Sequence, residues 1–287
     1  MVDNTVMTTA TVAETSLAGF PALRGTPTTQ IPTNPPILFL HGAFADHYGF
    51  QKWVQWFADR GYETYAPARR GRLGIGPDHA AGLDFDDYID DTNAVIAEIG
   101  RPPVIVGHSL GALLAQRLAE QGKAAAIALL APAPPAMLTA QPIALPKFAP
   151  QMPKILSGRP FIVANDACSV LALNRVPEEL RPPIHARLTH ESGKVYRALM
   201  FGSIRVDAAK VTVPVFVGSG TEDRIISAKL ARKTAEHYGC PAHIYPDHAH
   251  WIIDEPGTEQ VMQDVADWLR TADLAVSSES RGSMPRA

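Results

Sequence analysis

Val104-Ile105-Val106-Gly107-His108-Ser109-Leu110-Gly111-Ala112-Leu113-Leu114-Ala115 passes from a β-branched apolar run to a small-residue, helix-forming run within a few residues. A chain that must turn from strand to helix so abruptly needs its strand inside an α/β layer, with the helix packed back on the sheet. Gly107 and Gly111 bracket a serine at the corner. The pattern Gly-x-Ser-x-Gly suits a strained turn that lifts Ser109 to the N-terminus of the following helix, where unpaired N–H groups and the helix dipole favour developing negative charge.

The rest of the chain continues the alternation. Strand patterns fall at 37–40, 63–66, 104–106, 126–130, 213–218 and 242–245; helical patterns fall at 50–60, 84–99, 110–121, 228–238 and 259–269. Strands alternating with helices predict an α/β fold with a doubly wound, mostly parallel sheet. Residues 132–205 break the rhythm with a series of prolines and then helical patterns at 177–190 and 194–201. This segment reads as a helical cap or lid inserted between two strands. The core is then 36–131 and 206–271, with 1–35 a flexible arm carrying at most a weak hairpin at 17–28, and 272–287 a disordered tail.

Bulk properties narrow the function classes. The 287 residues are 46% hydrophobic and 19% charged with net charge −3, which suits a globular core and gives no basic surface for nucleic acid. The chain start lacks a basic, apolar signal segment, and no apolar run is long enough for a membrane span, so a cytoplasmic location is expected. Two distant cysteines, Cys168 and Cys240, read as unpaired buried thiols. Gly71-x-x-Gly74-x-Gly76 has no helix directly after it and does not follow the first strand, so it is not read as a dinucleotide loop. The acids Asp84, Asp86, Asp87, Asp90 and Asp91 read as a solvated helix start. No metal and no cofactor is expected; the partner expected is a small-molecule substrate.

A serine nucleophile needs a base and the base needs an orienting carboxylate, in chain order Ser, acid, His for this type of turn. The strand at 213–218 leads into Gly220-Thr221-Glu222-Asp223, and Asp223 is the chosen acid with Glu222 the alternative. Pro246-Asp247-His248-Ala249-His250-Trp251 follows the last strand; His250, directly before an apolar run, is the chosen base and His248 the alternative. An oxyanion needs backbone donors: the N–H of Leu110, and that of Ala43 in His41-Gly42-Ala43-Phe44. His41 is read as a structural side chain bonding loop backbone. Phe44, His108 and Trp251 beside these motifs, with Met137 and Leu138 from the cap, are assigned to substrate binding.

His41-Gly42, Gly107-His108-Ser109-Leu110-Gly111, the Gly220–Asp223 loop and His250-Trp251 with Glu255-Pro256 behind it together resemble the α/β-hydrolase fold family over residues 36–131 and 207–270. The resemblance implies a Ser109–His250–Asp223 triad, a hole at Ala43 and Leu110, and a cap that shapes the acyl or alcohol pocket. His108 and Leu110 in the elbow are similar to esterases and lipases. Serine in place of aspartate at the elbow argues against the epoxide hydrolase and dehalogenase branches. One departure stands out. Where many relatives carry Asp-x-Arg-Gly-x-Gly, this chain reads Ala68-Arg69-Arg70-Gly71-Arg72-Leu73, and its three arginines are expected to be solvated. The expected activity is hydrolysis of a carboxylic ester, lactone or thioester of an apolar or aryl small molecule. The alternatives are C–C bond hydrolysis or a cofactor-free lyase on the same triad, and a triad-retaining ligand receptor.

Overall fold

The computed structural model describes residues 10–29, 34–74, 76–137 and 141–272. The first element is a hairpin, β1 (Thr11–Leu17) and β2 (Phe20–Thr26), turning at Ala18-Gly19 with φ of 50° and 81°. Positive φ at both central residues gives the turn the twist that a two-residue hairpin loop needs. The hairpin expected as a weak one at 17–28 is thus a paired one that starts at Thr11, within the segment expected to be a loose arm. β1 is mostly exposed, so it carries no hydrophobic alternation, and what holds the hairpin is the antiparallel pairing of β2 with a core strand, Ala22 opposite Pro67.

The core then alternates as the sequence predicts: β3 (Ile37–Leu40), α1 (Gln51–Ala58), β4 (Thr64–Pro67), α2 (Phe85–Ile99), β5 (Val104–His108), α3 (Leu110–Glu120) and β6 (Ala126–Leu130). Five short helices follow: α4 (Leu145–Phe148), α5 (Met152–Ser157), α6 (Asn165–Leu171), α7 (Arg181–His185) and α8 (Gly193–Met200). The chain ends with β7 (Val215–Gly220), α9 (Ala228–His237), β8 (Ala242–Tyr245) and α10 (Thr258–Thr271). The sheet order is β1-β2-β4-β3-β5-β6-β7-β8, parallel from β4 to β8.

Every residue of β3, β5 and β6 is buried. Both faces are covered, so these strands read as unbroken apolar sequence and not as alternation. One face packs on α1 and α10 through Trp53, Phe57, Val261 and Val265; the other packs on α2, α3 and α9 through Tyr88, Leu113 and Ala231. The loops that leave the carboxyl ends of β3, β5, β7 and β8 therefore gather at one edge of the sheet.

Residues 132–205 lie between β6 and β7 and cover that edge. The expected helix at 177–190 is only Arg181–His185, and α4 to α6 lie in a stretch the pattern left unassigned. Prolines stand in the first turns of α4, α5 and α7, where a missing N–H breaks no helical bond. Cys168 is buried and Cys240 half-buried, and neither is bridged. Among the described residues no helix is long and apolar enough to cross a membrane. The expected tail at 273–287 and the first nine residues lie outside the described residues.

Candidate active site

Ser109 sits between the last residue of β5 and the first of α3, with φ 55° and ψ −116°, a backbone region that side-chain-bearing residues rarely adopt. The flanking glycines permit the corner. A Cβ on Gly107 would stand 2.4 Å from Gly111 O, and one on Gly111 would stand 2.0 Å from Leu40 O. Leu110 opens α3, so its N–H has no carbonyl one turn back to bond.

The loops after β7 and β8 bring the acid and the histidine to this serine. His250 Nε2 lies 3.0 Å from Ser109 Oγ, and His250 Nδ1 lies 2.8 Å from Asp223 Oδ2. A carboxylate only accepts, so Nδ1 carries the proton in the neutral ring and Nε2 is left to accept from the serine hydroxyl. The other carboxylate oxygen, Oδ1, accepts the N–H groups of Ile225 and Ile226, both at 2.8 Å. Asp223 is thus fixed by its own loop while it faces the histidine. Glu222, the alternative acid, turns outward to Arg175. His248, the alternative base, donates to Glu255 at 2.9 Å, and the same Glu255 oxygen accepts the N–H of Ala249. That pair braces the turn carrying His250. The two histidines have separate carboxylates, and among the described residues no group of three or more His, Cys, Asp and Glu is arranged to hold a metal ion.

His108 lines the site and also supports it. Its Nε2 is 2.7 Å from the carbonyl oxygen of His250, so it donates there and holds the backbone of that residue. Burial, with the neighbouring His250, pushes its pKa down to about 3, so His108 stays neutral through the ordinary pH range. His41 is buried, with Nδ1 3.0 Å from Gly42 O.

Two of the three arginines expected to be solvated are not, and the third, Arg70, stays partly exposed. Arg69 and Arg72 are buried; Arg70 pairs with Asp87 and with Asp91, which is itself buried and not part of a solvated helix start. Asp84 caps α2, accepting from the N–H groups of Asp86 and Asp87. Arg72 pairs with Glu191 at 2.6 Å, both side chains fully covered. Charge in a sequence does not show whether a distant partner will bury it, and Glu191 comes from the insertion.

A cavity of about 60 Å³ opens onto Ser109 and His250, lined by Ala43, Phe44, His108 and Trp251 from the core and by Phe148, Cys168, Leu188 and Tyr196 from the insertion, among others. Burial raises the Cys168 thiol to about 12, so it faces the cavity as a neutral group. Of the residues assigned to substrate binding, Phe44, His108 and Trp251 line this cavity and Met137 does not. The chain after β6 turns away from the site, with Ala136 N–H bonded to Ile204 O and the backbone of Met137 against Gly202. Leu138 lies outside the described residues. Sequence reasoning missed Val163, Leu171, Leu188 and Tyr196, whose apolar character carried no sign of which way they face. A larger hollow of about 430 Å³ is walled in part by Leu188 and Trp251, and of its charged walls Lys52 pairs with Asp254 and Arg187 with Asp46.

Comparison with known proteins shows the family and the fold. The sequence profile of the Alpha/beta hydrolase family matches residues 37–263. The chain is 30% identical over 256 residues to the AB hydrolase superfamily protein YfhM of Bacillus subtilis, covering 77% of this chain and 85% of that one. It is 25% identical over 283 residues to the monoacylglycerol lipase of Mycolicibacterium smegmatis, covering 92% and 99%. Among solved structures, a soluble variant of the monoglyceride lipase of Saccharomyces cerevisiae superposes with a TM-score of 0.67 at 18% identity, over 92% of this chain and 96% of that one. With an elbow serine on a doubly covered parallel sheet and a profile match across most of its length, the chain belongs to the Alpha/beta hydrolase family.

Proposed function

We propose that this protein is a serine esterase that cleaves carboxylic esters of small apolar or aryl molecules through an acyl-enzyme. The observation that carries the reading is the unbroken relay from Ser109 through His250 to a buried carboxylate, at 3.0 and 2.8 Å. Ser109 Oγ attacks the ester carbonyl as its proton passes to His250 Nε2, and Asp223 stabilises the imidazolium without taking the proton. The carbonyl electron pair moves to oxygen, where the N–H groups of Leu110 and Ala43 receive the anion. Collapse breaks the C–O bond, the alcohol leaves with the proton from His250, and a water activated by the same nitrogen hydrolyses the acyl-serine.

Ester is favoured over amide because an alkoxide is the easier group to expel, and because the relatives named lipases act on esters of glycerol by name. The apolar lining of the cavity suits an alkyl or aryl acyl group, with residues 132–205 acting as the cap. The test is turnover of p-nitrophenyl esters of graded chain length, together with labelling by a fluorophosphonate. Ester turnover and one-to-one labelling that both vanish in Ser109→Ala are expected. Labelling with no turnover of any ester would favour C–C chemistry, a lyase or a receptor; no labelling at all would remove Ser109 as a nucleophile.

A further inference from the structure

The loop after β3 is held by its carbonyls. Arg69 Nη1 donates to His41 O at 2.8 Å and Nη2 to Gly42 O at 3.1 Å. Phe44 O accepts the N–H of Thr189 at 2.8 Å and its hydroxyl at 3.2 Å. Arg72 Nε donates to Ala45 O at 2.9 Å, and Arg72 Nη1 reaches His190 O at 2.7 Å. Arg69 is unusual among these. It is buried, and among the described residues no carboxylate forms an ion pair with it; Glu191 and Asp91 act on its charge from farther off, and its direct partners are two carbonyls and the Tyr88 ring 5.0 Å away. An arginine in the interior without a contacting carboxylate is unfavourable unless its hydrogen bonds compensate.

The peptide unit linking Gly42 to Ala43 is trans, as are all those described. In a trans peptide the C=O and the following N–H point in opposite directions. Arg69, with His41 Nδ1 at 3.0 Å from the same oxygen, holds Gly42 O and so turns the N–H of Ala43 the other way. This peptide lies beside the serine: a Cβ on Gly42 would stand 3.1 Å from Ser109 Cβ, and Ala43 lines the cavity with Ser109.

We propose that Arg69 is a positioning residue for the oxyanion hole, fixing the Gly42–Ala43 peptide so that its N–H faces the reacting carbonyl, without touching substrate itself. The inference rests on the esterase reading above. It also accounts for the arginine run that departs from the family pattern: Arg69 occupies the position between the missing acid, Ala68, and the motif arginine, Arg70. Without the guanidinium fork the peptide keeps only the His41 bond at Gly42 O and could rotate to present a carbonyl where the anion forms.

The test compares Arg69→Met, which keeps the length of the side chain and removes the donors, with Arg69→Lys, which keeps one point charge in place of the fork. For p-nitrophenyl acetate, Arg69→Met should lower kcat by about 10²-fold, the scale of losing one oxyanion donor, with KM within about two-fold of the parent. Its rate of phosphonylation by a fluorophosphonate should fall in parallel, and Arg69→Lys should lie between. A folded Arg69→Met with unchanged kcat, or with KM raised and kcat kept, overturns the proposal. Should Arg69→Met fail to fold, the parent protein decides. In a crystal structure of the phosphonylated enzyme, the phosphoryl oxygen must lie within hydrogen-bond reach of both Leu110 N and Ala43 N, and a peptide turned with Gly42 O toward that oxygen overturns the proposal. Absence of Ser109 labelling in the parent defeats the esterase reading instead, so the two failures are told apart.

Discussion

The sheet loops and the insertion contribute to the site in different ways. Each sheet loop supplies one chemical group and fixes it locally: the β5 corner strains Ser109, the β7 loop binds Asp223 with its own N–H groups, and the β8 loop is braced by His248 and Glu255. The insertion places no group in the Ser109–His250–Asp223 relay, yet it bonds to the loops after β3, β7 and β8. Gln141 reaches Asp223 O, Asn174 reaches Glu222 O, Ala172 O accepts the N–H of Trp251, and Thr189 holds Phe44 O. Reactivity is thus built from short-range contacts within each loop, while loop posture and pocket shape depend on contacts far apart in sequence.

The comparison breaks first, and hardest, at the local contacts. Asp223→Asn keeps the size of the side chain but offers an N–H₂ or a neutral oxygen to His250, which no longer fixes the proton on Nδ1. A fall in kcat of about 10⁴-fold is expected for ester turnover, by analogy with the same change in a serine protease. The N–H groups of Ile225 and Ile226 can still bond the amide oxygen, so thermal stability should change little. A kcat within about ten-fold of the parent would mean that Asp223 does not orient the base.

The next contact to test joins the two regions. Glu191, in the insertion, accepts from Arg72 and Tyr88 at 2.6 and 2.7 Å and is fully buried. Burial pushes its carboxyl pKa up, but Arg72 and Arg69, with bonds from Tyr88 and Ser192, outweigh that and hold it below the ordinary value. A depressed carboxyl pKa adds stability that is complete above the unfolded value near about 4.3 and fades as pH falls through the folded one. Glu191→Gln leaves Arg72 buried and uncompensated, so at neutral pH it should lose about 3–5 kcal/mol. Calorimetry from neutral to acid pH should show the parent losing Tm below about pH 4 more steeply than the variant, so that the curves converge. Parallel curves would show that this pair adds no acid-sensitive stability.

This division also explains how far the chain could be read without coordinates. β3, β5 and β6 are covered on both faces, so their apolar runs marked them, and the two glycines around Ser109 marked the corner. Asp223 and His250 followed from their places after strands. The hairpin of β1 and β2 showed in the sequence only as a weak one at 17–28, since a mostly exposed strand such as β1 has no core face to pattern. Arg69 and Arg72 were misread because their partners are the carbonyls of residues 41, 42 and 45 and a carboxylate in the insertion, and neither kind of partner has a local signature. The cap helices were obscured by prolines that mark helix starts as readily as loops. Met137 was assigned to the pocket from composition alone, and composition carries no direction.

The smallest effect expected belongs to the insertion alone. Beyond the 60 Å³ cavity at Ser109 lies a second, apolar hollow of about 290 Å³, and the two share Phe148, Tyr196 and Ile225 as walls. Phe148 and Tyr196 stack at 5.3 Å and 22°, closing the gap between α4 and α8. Phe148→Ala removes the ring that separates the hollows and leaves every group of the relay in place. The parent should favour short acyl chains, and the variant should raise the octanoate-to-acetate ratio of kcat/KM by roughly 10-fold, the value of about one well-placed methylene. Phe148 is buried but borders two hollows, so its loss should cost at the low end of the usual range for such truncations, about 3 kcal/mol. Tyr196→Phe, which keeps the stacked ring, should leave the ratio unchanged. A chain-length profile identical in parent and Phe148→Ala would mean that acyl groups extend elsewhere, with Leu188 and Trp251, the wall of the 430 Å³ hollow, the next residues to truncate.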